Sequence, residues 1–322
     1  MIVRNDIIYF LGIGGIGMSA LARWCNNLGA QIYGYDLQPS KLTDELIKEG
    51  MIIHFEPDIS EIPDNVSLVV YTPAIPKDNI ELNYVIRKGT PIIKRAELIG
   101  KITRDYNTIA IAGTHGKTSI SALTAHLLKN AGINIAAFVG GVCRNYNSNL
   151  ILSESTDYLI IEADEYDRSL LQIDPNIAVI SSTDEDHLDI YDDHADIKST
   201  FIEFAKKLRP DGILIYNSKL DAFNEIACKK LTYDAEKTAS THASNIRIEN
   251  GKFVIDIVTQ DGKIFDVVMQ VPGIHNIENT LAAVSIAIEV GLTLDEIKKG
   301  IESFAGVERR MDYRINNEDI IY

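Results

Sequence analysis

Two glycine-rich loops, each set between an apolar run and a helical pattern, constrain this chain more than any other feature. The first is Gly12-Ile13-Gly14-Gly15-Ile16-Gly17, within "IIYFLGIGGIGMSALA". The second is Gly113-Thr114-His115-Gly116-Lys117-Thr118-Ser119, within "TIAIAGTHGKTSISALTAHLL". A strand that turns sharply into a helix has to return by a crossover, which makes the next strand parallel to the first. Two such starts predict two α/β units. The first reads as an N-terminal Rossmann-like parallel-sheet domain, the second as a central P-loop α/β domain of ATPase type. At 322 residues the chain is long enough for both.

The alternation continues after each loop. "AQIYGYD", "SLVVYTPA" and "TPIIK" read as strands of the first series, and "YLIIEAD", "NIAVISS" and "GILIYN" as strands of the second. From 231 to 270 the pattern shortens into a small β-rich portion, with "ENGK" and "QDGK" as hairpin turns. Two helical segments follow. The polar stretch "TRDYNT" (103–108) separates the series, so the expected domains are 1–104 and 105–306. Residues 307–322, which include "MDYRINNEDIIY", read as the start of a further domain.

Net charge is −15, which argues against a non-specific nucleic-acid or anionic-membrane binder. An anionic ligand would be held by local devices such as backbone N–H groups, helix N-termini or a few cations. Cys25, Cys143 and Cys228 are far apart and lack metal-site spacing, so three reduced thiols in a cytoplasmic protein are expected. No signal peptide and no membrane span is expected.

Gly12, Gly14 and Gly17 fit G-x-G-x-x-G, with Gly15 beside them. Such glycines let the backbone approach a pyrophosphate seated on the following helix N-terminus. Asp36 ends the next strand, where an acid often meets a ribose hydroxyl. The plain alternative is a tight turn that only packs helix on strand.

The second loop departs from G-x-x-x-x-G-K-[ST], because Ile111 stands where the first glycine would be. The shorter G-x-x-G-K-T keeps the working parts: amides for phosphates, Lys117 for the β/γ-phosphates, and Thr118 for Mg²⁺. Downstream, "LIIEADEYDRS" sets Glu162 and Asp164 at a strand end, where Glu162 is a candidate oxygen ligand for Mg²⁺. Glu165 and Asp167 read as a solvated acidic loop. In "STDEDHLDIY", His187 lies among Asp184, Asp186 and Asp189 and is a candidate ligand or catalytic group. "VPGIHNIENTLAA" puts His275, Asn276 and Asn279 at a helix start. Asn276 reads either as an N-cap or, with His275 and Asn279, as a nucleotide contact.

Taken in order, "GIGGIGMSALA", "AGTHGKTS", "IEADEYDRS", "DEDHLDIY", "PGIHNIENTLAA" and "GVERRMDYR" resemble the Mur ligase family along nearly the whole chain. The resemblance explains why one chain carries two cradles. It implies that the first domain holds the UDP of a sugar nucleotide and the central one holds ATP. The implied activity is ATP-dependent joining of L-alanine to UDP-N-acetylmuramate through an acyl phosphate, in peptidoglycan precursor synthesis.

By the same resemblance, Gly12, Gly14, Gly15, Ile16, Gly17, Asp36, His54 and Thr72 would serve the UDP-sugar. Lys117 would hold the γ-phosphate. Thr118 and Glu162 would ligate one Mg²⁺ and His187 a second. Residues 113–119, His275, Asn276, Asn279, Arg309 and Arg310 would surround ATP. Some members carry a carbamylated lysine after the histidine; Lys198, Lys206 and Lys207 fall there and none is assigned.

Family members have a third domain that begins where this chain ends. The 322-residue chain is therefore expected to bind the sugar nucleotide but not to form the amide. A ligase that recycles a tripeptide onto the same sugar nucleotide, and a non-catalytic nucleotide-binding module, are the competing expectations. A nicotinamide dehydrogenase would leave "GTHGKTS" unexplained. Oligomeric state is not legible.

Overall fold

The computed structural model describes residues 2–184, 191, 194–236 and 238–310. The chain forms two compact units that divide between Ile102 and Thr103.

The first unit runs β1 (Ile7–Leu11), α1 (Ile16–Asn27), β2 (Gln31–Tyr35), α2 (Lys41–Lys48), β3 (Ile52–His54), β4 (Leu68–Tyr71), α3 (Ile80–Lys88), β5 (Ile92–Lys94) and α4 (Arg95–Thr103). Its sheet has the order β3-β2-β1-β4-β5 with every pair parallel. The chain passes from β1 to one side and then to the other, so the carboxyl end of β1 is the switch point where α/β sheets open a crevice. Tyr9, Leu11, Tyr35, Val69, Leu82 and Val85 form the apolar cluster beneath it. Local signals set the helix ends. Ser40 and Thr43 make a capping box at α2, and Asn79 caps α3 through the amides of Glu81 and Leu82.

The second unit runs β6 (Asn107–Ala112), α5 (Lys117–Asn130), β7 (Ile135–Cys143), β8 (Ser148–Leu152), β9 (Tyr158–Glu162), β10 (Ile177–Ile180), α6 (His194–Lys206) and β11 (Ile213–Asn217). It continues through β12 (Lys229–Asp234), β13 (Thr241–Glu249), β14 (Lys252–Thr259), β15 (Gly262–Val268), α7 (Ile274–Val290) and α8 (Leu294–Ser303). Ten strands share one sheet in the order β15-β14-β13-β12-β11-β10-β6-β9-β7-β8. The middle is parallel, while β13-β14-β15 and β7-β8 are antiparallel. The β13–β14 turn is Asn250-Gly251, both at positive φ (49° and 74°), as a tight hairpin turn requires.

β6 lies between β9 and β10, so its carboxyl end is again a switch point. Its run Ile109–Ala112 is fully buried, and α5 is buried from Ile120 to Leu128. That near-continuous burial is the mark of strands and helices covered on both faces. The β7–β8 pair was not read from sequence, because small residues and two glycines interrupt its apolar alternation. Cys25, Cys143 and Cys228 are all free thiols. Burial pushes the Cys143 thiol up to about 11.

Candidate functional site

In the first unit the loop after β1 is fastened before any ligand is considered. Gly12 and Ile13 donate their amides to Tyr35 O at 2.8 and 3.1 Å. The Gly14 amide donates to Asp36 Oδ2 at 2.7 Å. A Cβ on Gly14 would lie 2.8 Å from Thr43 Cγ2 and 2.9 Å from that carboxylate oxygen, so no side chain fits there. Thr72 lies against Gly12, where a Cβ would come within 2.8 Å of its methyl. Gly15 is the N-cap of α1 and carries no side-chain cap, so the helix presents bare backbone at this end. Ile16 and Gly17 open the helix, with the Arg95 guanidinium packed over Gly17. The loop, Asp36 and Thr72 therefore come together.

His54 is joined to this group through its backbone, which accepts the Asp36 amide at 3.2 Å. Its ring faces Glu81 instead, with Nε2 2.9 Å from Oε1. Glu81 is fully buried, accepts the Tyr9 hydroxyl, and takes the Asp58 amide at 2.8 Å. Glu81 and Arg95 were missed in sequence. Nothing in "DNIELNYV" or "KRAELIG" marks either as more than a helix-start residue.

In the second unit the loop from Gly113 to Gly116 is stitched to the end of β10. Thr114 Oγ1 and Ser182 Oγ lie 2.8 Å apart, and the His115 amide donates to Ser182 Oγ at 2.9 Å. Ser181 Oγ donates to His115 O. Gly113 has φ +126°, and a Cβ there would lie 2.8 Å from the Ser182 nitrogen, so the position accepts only glycine. α5 then begins at Lys117 with no side-chain cap.

Glu162, at the end of β9, is enclosed by donors. Thr118 Oγ1 and Ser121 Oγ each donate at 3.1 Å, and the Gly140 amide donates to Oε1. Burial raises its carboxyl above the ordinary range, and these three hydrogen bonds pull the other way. Gly140 belongs to the Gly140-Gly141 pair of β7, a signal not used in sequence. Glycine within a strand marks a close approach, and here the approach is the Glu162 carboxylate.

One expectation is corrected. Glu165 is not a solvated loop residue; it is buried, 1% exposed, and pairs with Lys117 Nζ through both oxygens at 2.8 Å. Sequence position hid this, because the loop folds back under the cradle instead of running outward. Asp167 is exposed, as a solvated residue would be.

A second correction concerns Asn276. The N-cap of α7 is Gly273, and Asn276 sits in the first turn, donating Nδ2 to Pro272 O. Its Oδ1 accepts Asn279 Nδ2 at 3.1 Å, and Asn279 Oδ1 lies over Gly116.

The loop, Ser182, Asn276 and Asn279 border one open cleft of about 660 Å³, which Glu278 also lines. Its walls are the Thr114–Ser119 loop, Ser181, Ser182, Asp184, the start of α7 with His275, Asn276 and Asn279, and Arg309 with Arg310. The arginines reach it because Val307 bridges to Cys143, with the Glu308 amide on Val142 O at 2.9 Å. Amides at a helix N-terminus with three basic side chains nearby make an anion site. His187 lies outside the described residues. Among the described residues no group of three or more His, Cys, Asp or Glu side chains is arranged to hold a metal. Thr118 Oγ1 and Glu162 Oε2, both hard oxygen donors, remain the pair that suits one. Among the described residues no helix is long and apolar enough to cross a membrane.

Comparison with known proteins covers both units. Residues 7–107 match the Mur ligase family catalytic-domain model, and residues 111–287 match the Mur ligase middle-domain model. The UDP-N-acetylmuramate–L-alanine ligase of Flavobacterium psychrophilum is 44% identical over 98% of this chain and 70% of its own length. The enzyme of that name from Parabacteroides distasonis is 42% identical over the same shares. Among solved structures, the UDP-N-acetylmuramate–alanine ligase of Thermotoga maritima superposes with a TM-score of 0.86 at 24% identity, over 97% of this chain and 71% of that one. A Neisseria ligase that takes L-alanyl-γ-D-glutamyl-meso-diaminopimelate superposes at 0.84 and 22% identity, over 95% and 100%. At those identities the superpositions speak to the fold.

Proposed function

The chain belongs to the Mur ligase family, and we propose that it joins L-alanine to UDP-N-acetylmuramate in an ATP-driven step of peptidoglycan precursor synthesis. The observation that carries this reading is the 44% identity to an L-alanine ligase, sustained over 98% of the chain and so through both cradles.

In this reading the loop Gly12–Gly17 takes the pyrophosphate of the UDP-sugar. The Gly12, Ile13 and Gly14 amides are taken by Tyr35 O and Asp36, so the pyrophosphate would meet the N-terminus of α1, which carries no side-chain cap. Asp36 holds the loop through the Gly14 amide, and Thr72 and His54 border the same sheet edge. ATP lies in the second cleft, with its phosphates on the Gly113–Ser119 loop and its nucleoside toward His275, Asn276 and Asn279. Arg309 and Arg310 line the same cleft.

The sugar's lactyl carboxylate attacks the γ-phosphorus, ADP leaves, and the L-alanine amine then displaces phosphate from the acyl phosphate to form the amide. Carboxylate and triphosphate repel as they meet. Lys117 offsets that charge, and the N-terminus of α5, which carries no side-chain cap, presents its backbone amides to it. Thr118 and Glu162 would hold one Mg²⁺, with His187 assigned to a second; the ions would neutralise phosphate charge when bound. Adenosine triphosphate supply and three free thiols suit the cytoplasm.

The test supplies the full-length protein with ATP, Mg²⁺ and UDP-N-acetylmuramate, and with a panel of single amino acids and the tripeptide. L-alanine-dependent phosphate release, with a product heavier by one alanyl residue, is expected. Turnover with the tripeptide alone would move the assignment to the recycling ligase. Calorimetric binding of UDP-N-acetylmuramate without any turnover would leave a nucleotide-binding module.

A further inference from the structure

Lys117 is the cation of the second cradle, and its ammonium is fully engaged. Its three N–H groups meet Gly113 O at 2.7 Å and both Glu165 oxygens at 2.8 Å. The pair is withdrawn from water: the Lys117 side chain is 16% exposed and that of Glu165 2%. A two-oxygen, charge-assisted contact in such surroundings is strong.

The fold strains itself to hold Glu165 there. Two and three residues on, Asp167 and Arg168 both take left-handed backbone, at φ 54° and 51°. Two adjacent non-glycine residues in that region persist only where the surroundings over-determine them. Arg168 supplies the clamp. It donates to both oxygens of Asp196 at 2.8 and 2.7 Å and stacks over the Tyr191 ring at 5.3 Å. Tyr191 Oη donates in turn to Glu165 O at 2.6 Å.

A phosphate in the cradle asks of Lys117 what Glu165 already receives, an ammonium donating to anionic oxygen. Three protons cannot serve both. We propose that Glu165 is an internal competitor for Lys117, from which a bound nucleotide must take the lysine and to which the lysine returns once the γ-phosphoryl group has left. The proposal rests on the nucleotide reading of this loop given above. Glu165 is a positioning residue: it touches no substrate and acts through Lys117. Two consequences follow. Nucleotide affinity carries the cost of parting the pair, and recapture of the lysine weakens the hold on ADP.

Calorimetry tests this with ADP and with a non-hydrolysable ATP analogue, each in EDTA and in Mg²⁺. The proteins are wild type, Glu165→Gln, Lys117→Met and the double variant. Glutamine keeps the shape and removes the charge, so Glu165→Gln is expected to bind both nucleotides roughly tenfold tighter. In the Lys117→Met background the same change should do nothing.

Equal tightening in both backgrounds would mean plain repulsion by a carboxylate and would overturn the competition. Unchanged or weaker binding by Glu165→Gln would overturn it as well. Glu165→Asp withdraws the carboxylate by about 1.5 Å and should tighten binding less than glutamine does. If the glutamine variant does not fold, unchanged affinity in Glu165→Asp rejects the proposal. Wild-type protein that binds neither nucleotide would refute the reading of the loop itself.

Discussion

Gly140→Ala should injure the second site although Gly140 carries no functional group. A Cβ on Gly140 would lie 2.5 Å from Glu162 Oε2 and 2.8 Å from Oε1, where real contacts essentially never fall below 3.0 Å. The carboxylate must therefore retreat by at least about half an ångström, and nearer nine-tenths to reach the ordinary 3.4 Å. Retreat is costly because the Gly140 amide, a donor to the same carboxylate, belongs to the residue that gains the methyl. Moving off the methyl means moving off the amide. The Thr118 and Ser121 bonds are already 3.1 Å long and have little slack.

A hydrogen bond to a charged group contributes about 1.5–3 kcal/mol. The loss of one bond and the loosening of two others should cost roughly 2–3 kcal/mol. For a unit of this size that lowers Tm by about 4–12 °C. Thermal unfolding followed by circular dichroism measures it, and L-alanine-dependent phosphate release by the full-length enzyme should fall in parallel. Glu162→Asp draws the carboxylate back, so Gly140→Ala/Glu162→Asp should be more stable than the two single losses added together. A Gly140→Ala protein that melts within a degree of wild type and turns over normally would refute the close-approach argument.

Three further outcomes are expected. In the full-length enzyme Lys117→Ala should lower turnover by about 10²–10³-fold through lost charge compensation at the phosphoryl group, with UDP-sugar affinity unchanged by calorimetry. Gly14→Asp should abolish UDP-sugar binding while sparing ATP binding, because its side chain collides with Asp36 and Thr43 and adds negative charge at the cradle; equal loss of both affinities in a folded protein would contradict two separate sites. His126 is buried between Tyr146 Oη and Ser303 Oγ, at 3.0 and 2.9 Å, and burial lowers its pKa to about 4. Below its unfolded pKa of 6.5 the unfolded chain binds a proton that the folded one refuses. Stability should fall from pH 6.5 to about 4 by roughly 3 kcal/mol and flatten below, and His126→Gln should remove most of that slope in urea titrations at each pH.

What the sequence determined by itself is what local chemistry encodes. Glycines at 12, 14, 17, 113 and 116 declare two strand–loop–helix starts, because only a residue without Cβ lets those loops turn and approach an anion. Asn250-Gly251 acts within a few residues of itself, so its hairpin turn is legible without a fold. Lys117, Thr118 and Glu162 could be singled out because a P-loop and an acidic strand end are each local patterns.

What tertiary structure decided is which side chains oppose one another across strands distant in sequence. Glu165 looks like any acid in "EADEYDRS" until the chain folds it beneath Lys117, 48 positions away. Gly140 becomes a constraint only when β7 packs against β9 and meets Glu162. Glu81 becomes a buried anchor only when α3 delivers it to Tyr9 and His54. Burial and opposite charge set the role of each of these residues, and both are properties of the assembled sheet edge, which no window of sequence contains.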